Sequence, residues 1–204
     1  MVKIKICGLC REDDVSFANE AMPDFAGFVF APSRRQVSPS QAVRFRDRLE
    51  EPIIPVGVFV NAPIAEIKAL FADGVIALAQ LHGREDSAYL SALKACCAAP
   101  VIRAIRVERH EDLVPWQRKD PLVDYLLLDS GPGGTGRSFQ WDLLGTGRPA
   151  SPYFLAGGIT LDNLGEALAY RPYGIDVSSG AETQGFKDRT KMVRLVQRVR
   201  EDQS

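Results

Sequence analysis

Cys7 and Asp129 each end a short apolar run, Lys3–Cys7 and Tyr125–Asp129, and both carry groups able to exchange a proton with a substrate. A carboxylate at the end of an apolar strand is partly desolvated, which raises its pKa and suits it to donate a proton. A helix N-cap or a salt-bridge partner would use the same position. Cys7 precedes a helical stretch, and a thiol at a helix N-terminus ionises more readily, so it would serve as a base or a nucleophile. A small buried hydrophobe is the plainer alternative. Cys7-Gly8-Leu9-Cys10 also fits the Cys-x-x-Cys pattern of thiol redox enzymes, which leaves redox chemistry open at this point. A zinc site would want a second ligand pair, and adjacent Cys96-Cys97 lacks that spacing, so no metal is expected.

Two small-residue turns, Gly157-Gly158 and Ser178-Ser179-Gly180, follow the last two apolar runs. Small residues let backbone N–H groups approach an anion closely, and a helix N-terminus there adds a favourable dipole. The pair therefore reads as a phosphate site, against the alternative that glycines merely turn the chain. Arg34 and Arg35 precede Ser38-Pro39, a helix start. A guanidinium holds a carboxylate or phosphate through two parallel hydrogen bonds. His82 ends another run and is expected to hydrogen-bond a ligand, whereas His110 falls in the polar stretch Glu108–Asp112 and is expected at the surface. Gly131, Gly133 and Gly136 satisfy G-x-G-x-x-G, but no acidic residue follows about 20 positions on, as a dinucleotide site requires. That segment reads better as a loop beside Asp129, able to act as a lid.

Something must bring these residues together. Apolar runs recur at Lys3–Cys7, Phe25–Phe30, Ile53–Val60, Val75–Leu81, Val101–Ile105, Tyr125–Asp129, Tyr153–Ala156 and Gly174–Val177. Near-continuous apolar runs suit parallel strands covered on both faces. Helical stretches follow most of them; in the last, Met192, Leu195, Val196 and Val199 share one helix face. Ser38-Pro39, Thr160 and Asn61 with Pro63 sit where helices should start. Strand then helix, eight times over, predicts a (β/α)8 TIM barrel, with an open doubly wound sheet as the competitor. In a barrel, chemistry lies at the C-terminal ends of the strands and in the loops after them, which is where Cys7, Arg34, Arg35, His82, Asp129, Gly157-Gly158 and Ser178-Ser179-Gly180 fall.

Composition narrows the function further. Of 204 residues 46% are hydrophobic and 25% charged, enough apolar surface to order a large core. The net charge of -1, with no basic stripe, argues against a general nucleic-acid partner. No apolar run approaches the roughly 18 residues of a membrane span. MVKIKICGLC lacks the apolar core of a signal peptide, so a cytoplasmic location and four free cysteines are expected.

Seven segments in register resemble the phosphoribosylanthranilate isomerase family of tryptophan biosynthesis. They are Lys5–Leu9, Gly27–Phe30 with Ser33–Val37, Val58–Asn61, Gln80–Gly83, Leu128–Ser130 with Gly133–Gly136, Ala156–Ile159 and Gly174–Gly180. The resemblance covers nearly the whole chain. It implies one barrel domain over residues 1–204, no cofactor, a phosphosugar substrate and a monomer or homodimer. It also implies an acid–base Amadori rearrangement, with Cys7 as base, Asp129 as acid, Arg35 on the anthranilate carboxylate and Asp176 near the sugar. The chain reads Arg34-Arg35-Gln36 where the family usually has Pro-Arg-Tyr, and Cys10 where it often has Thr or Ser. The rival readings are another phosphosugar barrel enzyme, a thiol–disulfide oxidoreductase using Cys7 and Cys10, and a non-catalytic phosphometabolite-binding barrel.

Overall fold

Eight apolar runs become eight strands in a computed structural model that describes residues 1–129 and 141–202. They are β1 (Lys3–Cys7), β2 (Phe25–Val29), β3 (Ile54–Phe59), β4 (Leu78–Leu81), β5 (Val101–Arg106), β6 (Tyr125–Asp129), β7 (Tyr153–Leu155) and β8 (Gly174–Val177). Each pairs in parallel with the next, and β8 pairs back onto β1, so the sheet closes into a barrel and is not an open doubly wound one. Ser130 and the Gly131–Gly136 motif lie outside the described residues.

Helices α1 (Glu12–Ala21), α2 (Pro39–Arg48), α3 (Ile64–Ala72) and α4 (Ser87–Cys96) follow the first four strands, and α5 (Leu164–Ala169) and α6 (Arg189–Glu201) the last two. Ser38 caps α2 as its sequence suggests: its Oγ accepts from the Gln41 N–H at 3.2 Å, and Gln41 returns a bond to the Ser38 N–H. Two expectations fail. Among the described residues β5 and β6 lead to 3-10 turns (His110–Asp112, Val114–Gln117 and Trp141–Thr146) instead of α-helices. Pro115, Pro121, Gly145 and Gly147 interrupt those stretches, and neither holds an apolar face long enough for a helix. Thr160 does not cap α5 either; Asn163 is the N-cap, and its side chain accepts from the Thr160 N–H and donates to the Gly158 carbonyl.

Side chains alternate across a strand, so each strand sends one set outward and one inward. Ile4 and Ile6 belong to the layer beneath the helices. Phe25, Val56, Leu78, Ile102, Ala104, Leu127, Phe154 and Ala156 form a separate cluster inside the barrel. At the N-terminal ends of the strands, Phe25, Tyr125, Phe154 and Tyr173 close the interior with edge-on and tilted ring contacts at 4.9–5.9 Å. Among the described residues the interior meets the cavity that holds Cys7 and Asp129 at the strand C-termini.

One buried carboxylate organises two loops at that open end. Glu85 Oε1 accepts from the Asn61 N–H at 2.8 Å, and Oε2 accepts from the Gly83 N–H at 2.9 Å and from Arg103 Nη1 at 2.8 Å. The Glu85 side chain is fully buried and that of Arg103 is only 15% exposed. Glu85→Ala would strand the guanidinium and two backbone donors. Breaking such a buried pair costs about 3–5 kcal/mol. Denaturant unfolding is expected to show a loss of that size, and an unchanged midpoint would refute the account.

Candidate active site

The alternation that fills the barrel also aims the site. Asp129 stands two residues after inward-facing Leu127, and Cys7 two after Lys5, so both face the open end of the interior. They line one cavity of about 660 Å³, together with Arg35, His82 and Asp176. Gly157, Gly158, Ser178 and Ser179 form part of the same wall. That volume suits a small ligand. Around the rim the order is Asp129 at the end of β6, the glycines after β7, the serines after β8, Cys7 at the end of β1 and Arg35 after β2. The small-residue turns thus stand between the carboxylate and the thiol.

The floor beneath Cys7 is polar. Lys5, fully buried, donates through Nζ to Asp176 Oδ1 at 2.7 Å. The two residues are directly paired across β1 and β8. Burial favours the neutral amine, but Asp176 and Cys7 outweigh it and hold the Lys5 pKa above its usual range. Burial also pushes the Cys7 thiol up, and the Lys5 ammonium opposes this only in part. The expectation of an easily ionised thiol at a helix N-terminus is not met, because α1 starts at Glu12, beyond reach of Cys7. Gly27 lets the sulfur sit where it does: a Cβ there would lie 2.9 Å from Cys7 Sγ. Cys10 lies outside the cavity lining, with its backbone N–H bonded to Asp14, and all four cysteines are free.

On the opposite arc, His82 Nε2 lies 3.4 Å from Asp129 Oδ2. Gln80 Nε2 lies 3.4 Å from His82 Nδ1. A donor from Gln80 onto Nδ1 leaves the hydrogen of a neutral imidazole on Nε2, facing the carboxylate. Gln80 is 1% exposed, and its Oε1 has no partner among the described residues.

Arg35 is held by a carboxylate that composition could not reveal. Its Nε donates to Glu182 Oε1 at 2.6 Å and its Nη2 to Glu182 Oε2 at 3.0 Å. Arg34 and Lys187 bond the same carboxylate at 2.6 and 2.7 Å. Burial alone would raise the Glu182 pKa; the bonds from Arg35 and Lys187 outweigh it and hold the carboxyl below its usual range. Gly8, with φ of 86°, leaves room for the Arg35 stem, since a Cβ there would stand 2.4 Å from Cδ.

The phosphate candidates divide. Gly157 and Gly158 both adopt positive φ, 81° and 69°, a turn that glycine makes at little cost. Ser178 uses its Oγ to donate to the Cys7 carbonyl at 3.1 Å. Gly180 does not line the cavity. A Cβ on it would stand 1.9 Å from the Ile159 carbonyl oxygen, so its smallness lets the β7 and β8 loops meet. Only a 3-10 turn, Ser179–Ala181, follows the serines, not a long helix.

Lys5, Gln80, Glu182 and Lys187 were not singled out from the sequence. Lys5 carries a usable signal: in an alternating strand it must face the same way as Cys7. Glu182 carries none, since its partner Arg35 lies 147 positions away. Among the described residues no His, Cys, Asp and Glu form a group able to hold a metal, and no helix is long and apolar enough to cross a membrane.

Comparison with known proteins places this geometry. Residues 4–198 match the family model described as N-(5'-phosphoribosyl)anthranilate (PRA) isomerase. An N-(5'-phosphoribosyl)anthranilate isomerase of Endomicrobium trichonymphae is 46% identical, over 98% of this chain and 99% of that protein. Monomers of the dimeric phosphoribosylanthranilate isomerase of Thermotoga maritima superpose with a TM-score of 0.83 at 30% identity, over 98% of this chain and 100% of theirs. A phosphoribosylanthranilate isomerase in complex with reduced 1-(o-carboxyphenylamino)-1-deoxyribulose 5-phosphate gives the same score, identity and coverage.

Proposed function

The chain belongs to the N-(5'-phosphoribosyl)anthranilate isomerase family, and from that we propose that Cys7 and Asp129 are the base and acid with which it rearranges its substrate. The reaction converts N-(5'-phosphoribosyl)anthranilate to 1-(2-carboxyphenylamino)-1-deoxyribulose 5-phosphate in tryptophan biosynthesis. Asp129 gives a proton to the ribose ring oxygen as the C1′–O bond breaks. The nitrogen lone pair forms an iminium. That positive charge acidifies the C2′ proton, which the Cys7 thiolate removes. The enolamine so formed tautomerises to the ketone. General acid and base help are each typically worth about 10²–10⁴-fold.

The observation that carries this reading is the meeting of Cys7 and Asp129, from the first and sixth strands, in one cavity with the two small-residue turns between them. Those turns suit the phosphate: Gly157, Gly158, Ser178 and Ser179 line the wall, and Gly180 draws the two loops together. Holding a non-reacting end lets binding energy serve positioning at C1′ and C2′. His82 and Asp176 face the sugar, and Arg35 takes the anthranilate carboxylate. A phosphosugar substrate, a cytoplasmic setting and a monomer or homodimer complete the reading.

Freshly made phosphoribosylanthranilate tests it, its loss followed by aromatic fluorescence. Turnover is expected, and its absence sinks the reading. Arg35→Ala removes a charge-assisted bond worth about 1.5–3 kcal/mol, so KM is expected to rise by about 10–100-fold with kcat little changed. An unchanged KM would remove Arg35 from the carboxylate site.

A further inference from the structure

A guanidinium offers five N–H donors on two usable edges. Glu182 occupies one edge of Arg35, the one formed by Nε and Nη2. The other edge, Nη1 with the second Nη2 hydrogen, makes no hydrogen bond among the described residues, and Arg35 lines the cavity.

Glu182 is itself held firmly. Oε1 receives Arg35 Nε and Lys187 Nζ; Oε2 receives Arg35 Nη2 and Arg34 Nη2. Its backbone carbonyl takes Lys191 Nζ at 2.6 Å. It opens a short antiparallel hairpin, β9 (Glu182–Thr183) with β10 (Phe186–Lys187). Lys187, 4% exposed, also bonds the Ser178 carbonyl and so ties the hairpin to the serine turn. Arg11 stacks on the Phe186 ring at 4.5 Å. At the tip, Gly185 has φ of 85°, and a Cβ there would stand 2.5 Å from Arg34 Nη1. Three cations share one carboxylate, so the cluster keeps a surplus of positive charge beside the cavity.

We infer that Glu182 is a positioning residue for the isomerisation: it fixes Arg35 with its unused edge presented to the carboxylate of the substrate's aromatic ring. The inference rests on the reading of Arg35 as that carboxylate's partner. Glu182 acts through Arg35 and touches no reacting atom.

A double-mutant cycle tests this, because residues that act through one another fail to add. Glu182→Gln is expected to raise KM for phosphoribosylanthranilate by about tenfold and to change kcat by less than about threefold. Glu182→Asp, which keeps the charge but draws it back, should fall between. In an Arg35→Ala background, Glu182→Gln should change kcat/KM by less than about twofold. Equal losses in both backgrounds, or no loss in the parent, would overturn the inference. Thermal unfolding accompanies each variant; if Glu182→Gln does not fold, the cycle is read with Glu182→Asp under the same criteria. Arg35→Ala alone reports on the underlying reading. An unchanged KM there defeats both, whereas a raised KM with additive losses defeats only the role of Glu182.

Discussion

Asp129→Asn is expected to lower kcat by about 10²–10⁴-fold while KM and the unfolding midpoint stay close to the parent's. The size is that of general acid help lost outright. Asn keeps the shape of the side chain and an oxygen for His82, yet has no acidic proton to give. The backbone does not depend on the carboxylate, because the Asp129 carbonyl accepts from the Val107 N–H at 2.9 Å and the strand is held by β5 and β7. Steady-state kinetics on the purified variant decide it. Full turnover would take the acid role from Asp129, and a loss confined to KM would make it a binding residue.

Cys7→Ser is expected to remove a similar factor from kcat. A serine hydroxyl fits the space that Gly27 leaves for sulfur, but it surrenders its proton far less readily than a thiol. The parent enzyme adds a pH signature. A base works deprotonated, and burial holds this thiol above the usual range, so the thiolate fraction at neutral pH is below that of an ordinary cysteine. The difference in thiolate absorbance between the parent and Cys7→Ser, which reads this one thiol directly, should therefore appear on the alkaline side. Its midpoint should lie above about 8.5, the value of an unperturbed thiol. A midpoint near 7 would contradict the buried setting of the thiol, and Cys7→Ser with parental turnover would take the base role from it.

The strands were legible because burial on both faces writes each one as an unbroken apolar run. β1, β6 and β8 fall on the runs read for them, and the others differ only at their ends. The regularity was over-read after β5 and β6, where prolines and glycines break the alternation of strand and helix. Cys7 and Asp129 were found because each ends its strand facing the mouth of the barrel, and His82 because it follows β4 directly. What stayed hidden depends on pairing between distant parts of the chain. Asp176 stood out, but not that Lys5 shares its charge from 171 positions away. Arg35 stood out, but not that Glu182 already grips one of its edges. The Cys7 environment was misjudged for a local reason, since the helix begins farther on than the run of residues suggested.

The ion pair beneath the thiol also sits on the seam where the last strand meets the first. Slipping β8 by one residue against β1 would turn its faces over, and slipping it by two would set Gly174 or Ser178 opposite Lys5. Either misalignment leaves an ammonium in the interior without its counterion, at a cost of several kcal/mol. Lys5 and Asp176 thus act as a registration pin: the stagger with which the cylinder shuts is chosen by the same two charges that furnish the well.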